Sequence, residues 1–143
     1  MDANFASNGK GKSMATQRER EAFIATLQRE CTDKPVDEVL HVARLLLRHA
    51  KSHGNIAVAQ CNGPGDYVNH IPYPEAEKIY ERHEAWCEKR EAQLEARMSK
   101  LAESIGLRIA FGGDPRGYTV KLFLPSGTYN TWGGKESGYG VPQ

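Results

Sequence analysis

From Pro74 to Ile105 the chain runs for roughly thirty residues dominated by Glu, Lys, Arg, Gln, Ala and Leu, all strong helix formers. Pro74 suits the first turn of a helix, and Gly106 supplies a stop. The stretch therefore predicts one helix over about 74–105. At ~1.5 Å per residue it spans ~45 Å, more than the width of so small a domain. One end must project, or pack on a second copy as a coiled-coil-like seam. The apolar stripe is Ile79, Trp86 or Cys87, Leu94, Met98, Leu101 and Ile105, spaced by threes and fours, with Arg90 interrupting. The remaining charges mix signs at helical spacing, as a solvated, salt-bridged face does. The sharper reading is a projecting recognition or dimer helix.

Two further helices precede it. Thr16 opens a helical pattern in which Phe23, Ile24, Leu27 and Cys31 recur on one face. Thr32-Asp33-Lys34-Pro35 breaks it, with Asp33 as a cap and Pro35 in the next first turn. The second helix is expected over about 36–52, with a wide apolar face that includes Val39, Ala43, Leu46, Leu47 and Ala50. Gly54-Asn55 reads as its stop. Ile56 to Cys61 leans to helix over strand, because Ala and Gln prefer it. Asn62 to Asp66 is a turn, and Tyr67 to Tyr73 an irregular linker. Residues 1–15 have little to bury and read as a mobile tail, with Met14 a second candidate start.

The last third is different in kind. It holds eight of the fourteen glycines and three of the seven prolines, the mark of tightly turned β-structure. Leu107–Phe111 and Tyr118–Leu124 alternate as strands, with Leu107, Ile109 and Phe111 on one face, and Tyr118, Val120, Leu122 and Leu124 on another. Thr128–Trp132 is a third candidate strand and Gly138–Val141 a fourth. The expected fold class is α+β. A single domain over 16–143 has helices over 16–105 and an antiparallel meander of three to four strands over 107–141.

Composition narrows the function. Nineteen Lys and Arg against eighteen Asp and Glu leave a net charge of +1, which argues against a histone-like coat and an acidic DNA mimic but not against a local basic patch. No apolar run approaches a membrane span or a secretory signal. Three scattered cysteines, Cys31, Cys61 and Cys87, suit reduced thiols.

The tightest metal-ligating set is His49 and His53, one turn apart on the second helix, with His83 and Cys87 one turn apart on the long helix; Cys61 could substitute. Antiparallel helices could close such a set around zinc. Imidazoles near a helix C-terminus and half-buried packing explain the same residues, so no cofactor is expected. Gly112 to Gly117 reads as a hairpin turn before an anion cradle, since no helix follows it. Ser126 lies outside any nucleophile elbow and no thiol is marked as activated. The glutamates fall on helix faces as solvated groups. The sequence carries no named active-site signature.

A string of C-terminal motifs carries a resemblance. Ala59-Gln60-Cys61-Asn62-Gly63, the charged helix, Gly113-Asp114-Pro115-Arg116-Gly117, Val120-Lys121-Leu122, Pro125-Ser126-Gly127, Asn130-Thr131-Trp132-Gly133-Gly134 and Gly140-Val141-Pro142 resemble a group of small phage and prophage proteins. The resemblance covers roughly residues 36–143. It implies an accessory protein in the cytoplasm of a bacterial host. By analogy of context it implies a counter-defence inhibitor, anti-CRISPR proteins among them, acting on a host protein or ribonucleoprotein complex. The expected function is non-enzymatic binding, with Arg116, Lys121, Tyr129, Asn130 and Trp132 as contacts, aided by part of the long helix. A homodimer through that helix is one further partner class. The alternatives are a nucleic-acid-binding module using the Lys and aromatic sheet and a small metal-dependent enzyme.

Overall fold

A computed structural model describes residues 15–112, 120–126 and 139–143. Three helices lead into a small sheet: α1 (Gln17–Glu30), α2 (Val36–Asn62), a 3-10 turn (Asp66–His70), α3 (Tyr73–Ser104), β1 (Arg108–Phe111), β2 (Val120–Phe123) and β3 (Tyr139–Gly140). The architecture is α+β, as expected. The predicted third strand over 128–132 lies outside the described residues, as does the tail over 1–14.

α1 starts where Thr16 and Glu19 satisfy each other. The Glu19 N–H donates to Thr16 Oγ1 at 3.1 Å, and the Thr16 N–H donates to Glu19 Oε1 at 2.8 Å. This capping box fills backbone donors that the first turn leaves open. Phe23 and Leu27, one turn apart, are fully buried.

α2 corrects two expectations. Pro35 is its N-cap and not a first-turn residue, and no side chain caps it, so Asp33 does not serve. The helix also passes through Gly54 and runs for 27 residues. His53, Gly54 and Ile56 are buried in it, so the core holds this turn together despite the helix cost of glycine, about 1 kcal/mol. The Gln143 side-chain amide lies over this glycine, where a Cβ would stand 2.6 Å from its Oε1 and displace it. The stop comes instead at Gly63, whose φ of 76° favours glycine and whose N–H reaches Ala59 O at 3.0 Å. Ile56–Cys61 is helix, as the propensities of Ala and Gln indicate. The supposed linker after it is partly ordered as the 3-10 turn, pinned by buried Val68.

α3 opens after Pro72, with Pro74 in its first turn. It closes in a Schellman motif: Leu107 N–H bonds Ala102 O at 2.9 Å, Gly106 N–H bonds Glu103 O at 3.0 Å, and Gly106 has φ 78°. This motif is the reason that β1 begins at Arg108 and not at Leu107. The helix is 32 residues long, about 48 Å. Its buried residues are Ala76, Cys87, Leu94, Met98 and Ala102. Of the alternatives Trp86 and Cys87, the stripe uses Cys87, and Trp86 stays 54% exposed.

The sheet has the order β1-β2-β3, antiparallel throughout, with Ile109 opposite Leu122 and Leu122 opposite Tyr139. Val120, Leu122 and Leu124 are buried, whereas Lys121 and Phe123 sit half-buried on the other face. β3 is the closing pairing expected over 138–141. Tyr139 stacks on Phe23 of α1 at 5.9 Å. One core joins Phe23, Leu46, Leu94, Met98, Leu122 and Val141. No helix among the described residues is long and apolar enough to cross a membrane.

Candidate functional site

Of the five C-terminal contact candidates, Lys121 alone falls within the described residues; Arg116, Tyr129, Asn130 and Trp132 lie outside them. Lys121 pairs across the sheet with Ala110 and Gly140. On the same half-buried face, the Arg108 guanidinium lies 4.2 Å from the centre of the Phe123 ring, a cation–π contact.

Among the described residues, a second exposed surface stands at the opposite end of α3. α2 ends at Asn62 while α3 continues toward Tyr73, and the pairings His53–Glu95 and Ala59–His83 make the two helices antiparallel. The core cluster reaches Ile56 and Cys87 in this direction. Beyond it, Val68 and Ala76 are buried outside that cluster. Tyr73 and Tyr80 are seven residues apart, hence within about 20° of each other on the helix. Cys87, Leu94 and Met98 continue that line, so both tyrosines belong to the stripe that is buried further along. Here it is uncovered: Tyr73 is 74% exposed and Tyr80 49%. Val58, Tyr67 and Trp86 are exposed in the same region, with Trp86 turned about 100° from Cys87.

This tip is acidic. Positions 55–88 contain six acidic side chains and two basic ones, and all six acidic residues are exposed. The remainder of the chain has seventeen basic and twelve acidic residues. A groove of about 500 Å³ opens between the end of α2 and the start of α3, lined by Cys61, Gly63, Glu77, Tyr80, Glu81 and Glu84 among others. Gly63 lies beside the Tyr80 ring, and its φ of 76° is the reason for glycine at this position. Cys61 is an exposed thiol.

Among the described residues, the candidate set His49, His53, His83 and Cys87 does not form one cluster of ligand atoms. His49 faces arginines: burial first, then Arg97, Arg48 and Arg90, holds its pKa below the ordinary 6.5. Such surroundings repel a cation. His83 Nε2–H donates to Ala59 O at 2.9 Å, and Cys87 Sγ lies 3.7 Å from the same nitrogen. Burial, with Glu91 adding to it, pushes the Cys87 thiol up. His53 instead meets two glutamates of α3. Its Nε2 lies 2.9 Å from Glu95 Oε2 and 4.0 Å from Glu91 Oε2. Among the described residues, these three form the group whose ligand-type atoms all lie within 4.8 Å of one another. His53 is 2% exposed, and its ring packs at 5.6 Å on Phe111 of β1. The available signal was the i,i+4 pair Glu91 and Glu95, which puts both carboxylates on one face; choosing His53 as their partner needs the helix-to-helix register.

Set against protein-family models, curated proteins and solved structures, the chain matches none of them.

Proposed function

We propose that the chain is a phage-encoded, non-enzymatic accessory protein that binds and modulates a host macromolecular complex, inhibition of a defence complex of the anti-CRISPR kind being one such role. It docks through the hairpin tip, on a partner segment that is basic and carries apolar side chains. The observation that supports this reading is the continuation of the α3 stripe beyond the core as exposed Tyr80 and Tyr73 within an acidic surface. Exposed aromatics beside a pocket are typical anchors of protein interfaces. Acidic neighbours steer a basic partner and disfavour others. Proteins with a like-charged surface, and nucleic acid, are repelled by the same groups.

The test is capture from host lysate by the full chain and by a Tyr80→Ala, Glu81→Lys, Glu84→Lys variant, with and without nuclease. The expected result is a nuclease-resistant partner that is lost with the variant, at unchanged melting temperature, and whose contact segment maps by cross-linking to a basic region. Equal capture by both proteins contradicts the assignment. A second reading, nucleic-acid binding, has the outer sheet face with Arg108, Lys121 and Phe123 in its favour. A gel shift that weakens steeply with salt and is lost in Lys121→Glu would support it.

A further inference from the structure

We propose that His53, Glu91 and Glu95 bind a divalent first-row transition cation, of which Zn²⁺ is the natural probe, and that the ion clamps α2 to α3. The proposal is independent of the docking surface.

The donor set is one imidazole and two carboxylates. Imidazole selects zinc, iron, copper and nickel over the all-oxygen ions, and carboxylate is a common companion on zinc. Metal–ligand bonds of about 2.0–2.2 Å place neighbouring ligand atoms about 2.9–3.5 Å apart, depending on coordination number. The Nε2 separations of 2.9 Å to Glu95 and 4.0 Å to Glu91 bracket that range, so small carboxylate rotations bring all three onto one ion.

The scaffold is stiff. Both glutamates stand one turn apart on the long helix, and His53 comes from the antiparallel helix facing it. Burial of the imidazole and the Phe111 ring hold its plane. The carboxylates are half-buried, with their side chains about a third exposed (32%). An ion can enter from solvent and keep water in its remaining positions.

Two carboxylates face one imidazole: His53 Nε2 stands 2.9 Å from Glu95 and 4.0 Å from Glu91. A divalent cation would draw both carboxylates and the imidazole onto one centre. The arginines around His49, one turn away, oppose the ion and limit its affinity.

The experiment uses tag-free full chain, stripped with chelator and titrated with Zn²⁺ by calorimetry and with Co²⁺ by visible absorption. The expected result is one saturable equivalent, a higher melting temperature with zinc, and no thiolate-to-cobalt charge-transfer band. Glu91→Gln and Glu95→Gln should each weaken zinc binding by more than about tenfold, since even outer partners of metal ligands cost about 10–100-fold. Glu91→Gln is the better-controlled variant, because it leaves the 2.9 Å His53–Glu95 bond in place. His49→Gln and Cys87→Ser should bind as the parent does. No saturable binding, undiminished binding by both glutamine variants, or loss on Cys87→Ser would each overturn the assignment.

Discussion

The two ends of α3 carry one apolar stripe and put it to opposite uses. Along 94–105 it faces α2 and the sheet, and Leu94, Met98, Ala102 and Ile105 are at most 2% exposed. Along 73–80 the 3-10 turn replaces most of the α2 cover, Ala76 is buried beside it, and the same helical line presents Tyr73 and Tyr80 to water. The composition of the stripe changes with its cover. Aliphatic and small residues pack the covered end, while phenol-bearing rings, which tolerate water on one side, occupy the open end. Charge separates the ends as well: acidic groups surround the tip, and Arg48, Arg90 and Arg97 gather around His49 nearer the core. A stripe that stops being covered without becoming polar is the feature on which the proposed docking surface rests.

Paired truncations at the two ends give the largest contrast. Met98→Ala is expected to cost about 2–5 kcal/mol in chemical unfolding. Tyr80→Ala should cost within about 0.5 kcal/mol, as surface changes do, while abolishing partner capture. Comparable losses of stability at both positions would break the distinction.

Next comes the capping box, which belongs to the covered end through α1. Thr16→Ala should cost about 1 kcal/mol, and restoring Ser should recover most of it. A change of no more than a few tenths would show that α1 is held by Phe23 and Leu27 alone.

Thiol labelling sharpens the boundary between the ends. Cys61, at the tip, is exposed, whereas Cys31 and Cys87 are buried with thiols pushed up by burial. Only the thiolate is nucleophilic, so native protein should take up one equivalent of iodoacetamide quickly, at Cys61. Fast labelling of Cys87 would place the core boundary further along the helix than Ile56.

Smaller still is the acid response of His49. Its pKa is held below 6.5 in the folded state, so the unfolded chain takes up the proton first. Stability is therefore retained above about pH 6.5 and lost as pH falls below it. His49→Gln should flatten that part of the stability profile. An unchanged slope would assign it to other groups.

Helix order, the long helix and the meander were legible because each rests on local signals. Capping residues, proline at the start of α3, Gly106 at its end and alternation over Val120–Leu124 all act over a few residues. Gly54 misled for a matching reason. Its local preference favours a stop, but burial of His53 and Ile56 and the approach of Gln143 are tertiary effects that local preference does not contain. The His53 cluster was hidden by register. Glu91 and Glu95 look like any solvated pair until the helix packing sets His53 against them. The exposed tyrosines were equally silent, since nothing local says where α2 ceases to cover α3.

The most direct test places a photo-cross-linking amino acid at position 80 of the tip and, in a second protein, at the exposed position 103 near the other end of the helix. Both are expressed in host cells and irradiated. Docking at the tip predicts one protein adduct from position 80, reduced by high salt, and none from position 103. Adducts from position 103 alone, or the same adducts from both, would contradict it.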